Sequence, residues 1–339
     1  MPSPRPLCCA PLSRNSTPAR RRFVFLTLAL AAGAAGCAAA EPLSFTVAVL
    51  PDTQYYAAQH PEILEAQARF IVDARDEGAI ALVVHEGDIV DGNDPRQWER
   101  AARSLHLFDG VVPYVLAAGN HDYQRVGRFI GRRTWIDSYF PPTAPPLRSL
   151  ASGTFEPGRI ENSFAVFDTA GGPWLVLALE FGPRDRALAW ADEVLKRYAT
   201  VPAIVVTHAY LGADDTRYDH RSRTDQLWNP HLYLDGAVPG AVNDGEEMWR
   251  KLIARNDNVR FVLCGHDLGD GVGRLTSTRA DGTKVHQILA NYQMGALGGE
   301  GYLRLMRFYP GERRVKVRTY SPYLDRWKTD PDNEFELEY

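Results

Sequence analysis

Residues 80–92 read IALVVHEGDIVDG. The run from Ile80 to His85 is apolar and rich in β-branched residues, the pattern of a strand covered on both faces. It stops at Gly87-Asp88, and a second Asp-Gly pair, Asp91-Gly92, follows at once. Asp and Gly at a strand end form a turn by default, so this stretch alone decides little. The fold and the chemistry depend on whether other strands end in the same way.

Toward the N-terminus, Phe45 to Leu50 reads as a strand and Pro61 to Glu77 as an amphipathic helix with Ile63, Ala66, Phe70 and Ile71 on one side. Toward the C-terminus come a helix from Pro95 to Leu107, whose apolar positions read as a packing face, and a third strand from Val111 to Ala118. Such β-α-β-α-β steps imply neighbouring parallel strands joined by right-handed crossovers. From Asn162 the pattern becomes richer in strands. Ser163 to Phe167 and Trp174 to Glu180 flank Gly171-Gly172-Pro173 as a hairpin. A helix from Asp185 to Tyr198, a strand from Val201 to Thr207, a helix from Glu246 to Arg255 and a strand from Val259 to Cys264 follow. Four further strands are expected at Arg274–Arg279, Lys284–Leu289, Tyr302–Phe308 and Arg314–Tyr320. Two β-rich halves with helices outside predict a layered α/β sandwich in one domain, 41–339. The irregular stretches Asp122–Glu161 and Tyr210–Gly245 are long enough to be functional loops or to hold short elements.

The strand ends repeat one theme. The first closes in Asp52-Thr53-Gln54, the second in Gly87-Asp88 and Asp91, and the third in Gly119-Asn120-His121-Asp122. The strand from Val201 closes in His208 and that from Val259 in Gly265-His266-Asp267. Taken singly, Asp52 and Gly119-Asn120 are turn formers, and a lone His208 is an ordinary satisfied histidine. Taken together they place oxygen and imidazole donors outside the carboxyl ends of five strands, where α/β sheets build their sites.

This ordered set resembles the calcineurin-like metallophosphoesterase family, whose motifs are D-x-H, G-D-x-x-D, G-N-H-D/E, a lone His and G-H-x-H. The resemblance runs from Asp52 to about Gln293. It implies a four-layer α/β/β/α sandwich of two mixed sheets flanked by helices, in agreement with the strand pattern. It also implies hydrolysis of phosphate mono- or diesters by a hydroxide activated between two divalent metal ions. By that resemblance Asp88 bridges the two ions; Asn120, His208 and His266 complete the second; Asp52 and Gln54 belong to the first. His121 is the implied acid facing the leaving group, held by Asp91, whose carboxylate would orient the imidazole and favour its protonated form.

The sequence departs from the family pattern at the first ion. Gln54 stands in place of His, and Leu268 stands where the last His of G-H-x-H belongs. Asp52, Gln54 and the shared Asp88 offer only oxygen, which suits Mn, Mg or Ca, whereas the second site with two imidazoles suits Zn, Fe or Mn. An asymmetric pair is expected, with the first ion weaker and harder. Asp267, Asp270 and Asn291 are alternatives for filling the gap. The loss of a ligand also leaves open a single-metal, ligand-binding protein of the same fold, although His121 and Asp91 would then have no task.

Several histidines fall outside this set. His85 reads as a packed core residue, His106 and His286 as structural, and His60 as a helix-start residue. Glu180 reads as a plain strand end that could also touch substrate. The segment Tyr210–Trp249, with Tyr210, Tyr218, His220, Arg221, Trp228, His231 and Tyr233, is either a substrate-binding rim or a packed surface loop. Tyr55 and Tyr56 have the same two alternatives. No substrate-binding residue is assigned.

The 339 residues are 45% hydrophobic and 24% charged, with a net charge of −4. That balance gives no electrostatic case for a nucleic-acid binder. Residues 1–40 differ in character. They hold no acid, carry Arg20-Arg21-Arg22, and then run apolar from Phe23 to Leu30. This is a signal-peptide pattern, twin-arginine-like or ordinary, and too short for a permanent membrane helix. Ala34-Ala35-Gly36-Cys37 resembles a lipoprotein box, while Ala38-Ala39-Ala40 suits ordinary cleavage. Either route predicts an exported protein, periplasmic or lipid-anchored through Cys37, without a transmembrane helix in the mature chain. Cys8 and Cys9 would leave with the signal, so Cys264 alone would remain and no internal disulfide could form.

Overall fold

A computed structural model describes residues 43–76, 80–123, 132–144, 147–233 and 238–339. The expected export signal, with Cys8, Cys9 and Cys37, lies outside them. The described residues belong to one compact unit. In chain order it contains β1 (Phe45–Leu50), α1 (Gln54–Gln59), α2 (Pro61–Asp76), β2 (Ile80–His85), α3 (Pro95–Leu105), β3 (Tyr114–Leu116), α4 (Ile136–Tyr139), β4 (Ala151–Thr154), β5 (Ser163–Thr169) and β6 (Gly172–Leu179). Then follow α5 (Asp185–Arg197), β7 (Ala203–Thr207), α6 (Gly245–Lys251), β8 (Val259–Cys264), β9 (Val272–Thr278), β10 (Lys284–Ala290), β11 (Leu303–Tyr309), β12 (Arg314–Ser321), β13 (Arg326–Lys328) and β14 (Glu334–Glu338).

The strands form two sheets, each mixed. One runs β13-β12-β11-β1-β2-β3, with β14 also pairing β12. Its β1, β2 and β3 are parallel, as the crossover pattern predicts, and β11 pairs β1 antiparallel. The other runs β4-β5-β6-β7-β8-β10-β9, parallel from β6 through β10 and antiparallel at its edges.

The period of two along each strand of the second sheet sorts its side chains between two cores. Trp174, Val176 and Ala178 of β6, Ile204 and Val206 of β7, and Phe261 and Leu263 of β8 join the first sheet in one buried cluster. The alternate residues Leu175, Leu177 and Leu179, Val205, and Val262 and Cys264 join Leu188 and Val194 of α5 and Met248 of α6 in another. β1 is buried throughout because both its faces are covered, by the second sheet and by α2 and α3. The α/β/β/α layering is therefore the expected one.

The differences from the sequence expectation lie in short elements. The strand expected from Val111 to Ala118 keeps only Tyr114–Leu116 in its ladder. β3 is the edge of its sheet, so only one side of it can pair. The Asp52 turn continues directly into α1, of which Gln54 is the first residue. The irregular stretch before Asn162 holds α4 and β4. Part of it, residues 124–131, lies outside the described residues.

Candidate metal centre

β1, β2 and β3 of one sheet and β7 and β8 of the other end at one place. Asp88, His208 and His266 come together there, all buried, with one ligand atom from each within 4.8 Å of the others. His208 Nε2 lies 3.1 Å from Asp88 Oδ2 and 3.1 Å from His266 Nδ1. Asp52 joins them: the His266 main-chain N–H donates to its Oδ2 at 3.2 Å, and its Oδ1 stands 3.9 Å from His208 Nδ1. The His121 main-chain N–H donates to Asp88 Oδ1 at 2.9 Å, which draws the Asn120-His121 turn against the same carboxylate. Asn120 is buried and its Oδ1 meets no hydrogen-bond donor.

This packing is tight enough to dictate residue type. A Cβ at Gly119 would stand 2.1 Å from Asp88 Oδ1, and one at Gly265 would stand 2.0 Å from Asp52 Oδ1. Asp88 and His266 themselves have positive φ, 49° and 74°. Non-glycine residues held in that region cost about 1–3 kcal/mol each and gather at functional sites.

The imidazole tautomers can be worked out from their partners. His208 Nδ1 faces the Glu86 carbonyl at 2.9 Å and must donate to it. His266 Nε2 faces the Trp228 carbonyl at 3.0 Å and must also donate. The remaining nitrogens, His208 Nε2 and His266 Nδ1, then point lone pairs at each other across 3.1 Å. Only a cation or an extra proton between them and Asp88 makes that arrangement favourable. Against the opposing effect of burial, the Asp88 and Asp52 carboxylates push His208 up to about 9. Burial and the charge of His208 hold His266 down at about 3. Asp88 lies well below the usual carboxylate range: burial would raise it, but His208 and His121 outweigh burial. Asp52 is pushed up by burial. Two imidazole lone pairs, a carboxylate and the unpartnered Asn120 oxygen therefore fit a divalent transition ion.

The expected first site offers fewer free donors. Gln54 is buried, its amide donates to the Gln293 side chain, and its own Oε1 is left without a partner. The three alternatives for the missing histidine are engaged elsewhere. Asp267 accepts from the Tyr218 hydroxyl at 2.6 Å. Asp270 accepts from the Val272 N–H at 3.2 Å. Asn291 Oδ1 accepts from the Gln293 N–H at 3.0 Å. Gln293, which sequence reasoning did not single out, is the side chain that reaches Gln54.

His121 is half-buried and its Nδ1 donates to the Asp91 main-chain carbonyl at 2.7 Å; the Asp91 carboxylate is farther, at 3.5 Å. The expected carboxylate clamp is thus chiefly a carbonyl clamp, since the Asp91 backbone reaches the ring first. It fixes the Nδ1–H tautomer and leaves Nε2 free.

Other expectations can be placed as well. His85 is a buried brace: Gly87 N–H donates to its Nδ1 at 3.1 Å, its Nε2 meets the Thr53 hydroxyl at 3.1 Å, and that hydroxyl donates to the Ile89 carbonyl. Burial holds it neutral, down at about 3. Asp122, visible only as the last letter of its motif, ties two strand ends together through Val90 N–H at 3.1 Å and Gly119 N–H at 2.8 Å. Glu180 pairs with Arg184 at 2.7 Å and Arg132 at 3.4 Å, so it belongs to a structural ion network. The Tyr210–Trp249 segment divides. Tyr210 and Tyr218 are packed inside, while Trp228 and Tyr233 stand beside His266. Tyr56 is buried against Gln67, and Tyr55 is partly open.

Comparison with known proteins follows the same lines. The family model of the calcineurin-like phosphoesterases matches residues 45–270. YvnB of Bacillus subtilis (strain 168) is 32% identical over 295 residues, which are 83% of this chain but 20% of that protein. The chain thus spans about a fifth of the length of this curated relative. Among solved structures, purple acid phosphatase PPD1 from yellow lupin (Lupinus luteus) seeds is similar at 14% identity and TM-score 0.49, over 88% of this chain and 54% of that one. The NAD nucleotidase of Haemophilus influenzae is similar at 10% identity and TM-score 0.42, over 88% and 54%.

Proposed function

We propose that this chain, which belongs to the calcineurin-like phosphoesterase family, is an exported metal-dependent hydrolase of phosphate mono- or diesters. The observation that carries the proposal is the pair of opposed imidazole lone pairs at Asp88, with the unpartnered oxygen of Asn120 in the turn whose His121 N–H donates to the same carboxylate. Asp88, Asn120, His208 and His266 would hold the stronger ion, and Asp52, Gln54 and Asp88 the weaker one. When bound, such ions supply Lewis acidity and a nucleophile at neutral pH.

The chain's own groups do the rest. Glu86 and Trp228 carbonyls keep both imidazoles in the ligating tautomer. His121, pinned at Nδ1 by the Asp91 carbonyl, presents Nε2 outward and can carry a proton to a departing ester oxygen. Trp228 and Tyr233, next to His266, would cover the organic part of a substrate. The test is turnover of an aryl phosphate and an aryl phosphodiester with added manganese. Loss of turnover by a factor of about 10²–10⁴ in His121→Ala, with metal content unchanged, is the expected result.

The engagement of Asp267, Asp270 and Asn291 elsewhere favours a second reading, because it leaves the weaker ion without a replacement for the missing histidine. A chain that binds one ion and no more would be a ligand-binding protein. Absence of turnover with every metal and both esters would select it.

A further inference from the structure

A second group of side chains able to ligate a metal lies in the segment after β7 and at the start of α6. His220, His231, Asp244 and Glu247 bring one ligand atom each within 4.8 Å of one another, with both carboxylates buried and both imidazoles half-buried. His220 Nδ1 stands 2.7 Å from Asp244 Oδ2. His231 Nε2 stands 2.8 Å from Glu247 Oε2 and 3.9 Å from Asp244 Oδ2. A tetrahedral ion with bonds of about 2.0–2.1 Å separates its donors by roughly 3.3 Å, and these distances fall on either side of that value.

Helix capping explains part of the cluster and leaves the rest over. Asp244 caps α6 with Oδ1, which accepts from the Glu247 N–H at 3.0 Å, and Glu247 Oε2 returns to the Asp244 N–H at 3.3 Å. A cap needs neither histidine. Yet the two imidazoles stack at a centroid distance of 3.6 Å, each with a nitrogen on a carboxylate. Protonating both to match the two acids would set like charges face to face. One dication balances both carboxylates while the rings stay neutral. Arg221 meets only the other Glu247 oxygen, Oε1, at 3.3 Å, and Asn229 reaches Asp244 Oδ2 at 3.3 Å.

We infer that His220, His231, Asp244 and Glu247 form a structural site for a zinc-class divalent ion, separate from the catalytic centre, that fastens the segment after β7 to α6. Two imidazoles and two carboxylates, all supplied by the protein, are a closed four-ligand set. The fastening bears on the centre. Trp228, whose carbonyl holds His266, and Tyr233, whose ring packs on it at 5.4 Å, flank His231 in the chain. The ion would hold that carbonyl in place.

The test uses the full chain, stripped with chelator, reloaded with zinc and dialysed. Elemental analysis then compares wild type, His208→Gln, and the double variant His220→Gln/His231→Gln. The double variant should retain one zinc fewer per chain than wild type, and His208→Gln should retain the zinc that the double variant loses. Equal zinc in wild type and the double variant would overturn the inference. Cobalt titration of the His208→Gln protein, which leaves the cluster intact, is a second measurement. Intense visible absorption of tetrahedral cobalt at one equivalent is expected, and a spectrum of hydrated cobalt only would also overturn it. Ester hydrolysis is read separately, so failure of this site and failure of the catalytic proposal are distinguishable.

Discussion

At the scale of single residues, the centre is organised by which atom of a neighbour does the holding. The Asp91 carbonyl, not its carboxylate, is the near partner of His121. Asp91→Asn should therefore cost activity less than about tenfold, whereas His121→Asn removes the proposed proton carrier and should cost about 10²–10⁴. Steady-state kinetics on both variants at matched metal content checks the ordering. The candidate donors were legible in the sequence, because Asp52, Asp88, Asn120, His208 and His266 carry their chemistry in their side-chain type. The carbonyl partners Glu86 and Trp228 were not, since any residue supplies a carbonyl and only tertiary position selects which one. Gln293 was missed for a related reason: a glutamine just past a strand has no signature until its partner Gln54 stands opposite.

At the scale of elements, each donor depends on a strand stopping at the right point and on a turn narrow enough to bring two strand ends together. Gly119→Ala would drive a methyl into the Asp88 carboxylate. Overpacking of this kind costs about 1–3 kcal/mol. Retained metal should fall along with the thermal midpoint, which parallel elemental analysis and thermal melts would show. A change remote from the centre gives a contrast. Asp94 caps α3 by accepting from the Arg96 and Gln97 N–H groups. Asp94→Ala should lower stability in urea by about 1 kcal/mol and leave metal content untouched. Strands covered on both faces, such as β1 and β2, were legible as unbroken apolar runs. β13, β14 and α1 were not. They are three to six residues long and owe their form to a neighbour, β12 or the Asp52 turn, more than to any period of their own.

At the scale of the whole molecule, the two sheets meet in a buried aromatic group. Phe45 stacks on Phe308 at 4.8 Å, and Trp174 meets Phe308 edge-on at 5.1 Å. Phe308→Ala should lower the unfolding free energy by about 3–5 kcal/mol, read by denaturant titration. Stability should also depend on pH through Asp137. Burial and then the adjoining Glu161 carboxylate push Asp137 up to about 7. Between pH 3.8 and about 7 the folded chain holds a proton that the unfolded chain has released, so raising the pH through that window destabilises the fold. The slope from this group is at most about 1.36 kcal/mol per pH unit. Thermal melts of Asp137→Asn should lose that part of the slope. The layering was legible because the strand and helix periods sort residues by face. Which strands neighbour across the two sheets was not, since β1 pairs with β11, which comes more than 250 positions later in the sequence. The donors divide between the sheets, Asp52, Asp88 and Asn120 following strands of one and His208 and His266 strands of the other. An ion held by them would accordingly be a clasp between two slabs that otherwise adhere chiefly through hydrophobic contact. Loading it should slow amide exchange at the tips of β2 and β8 together, and chelation should release both tips at once.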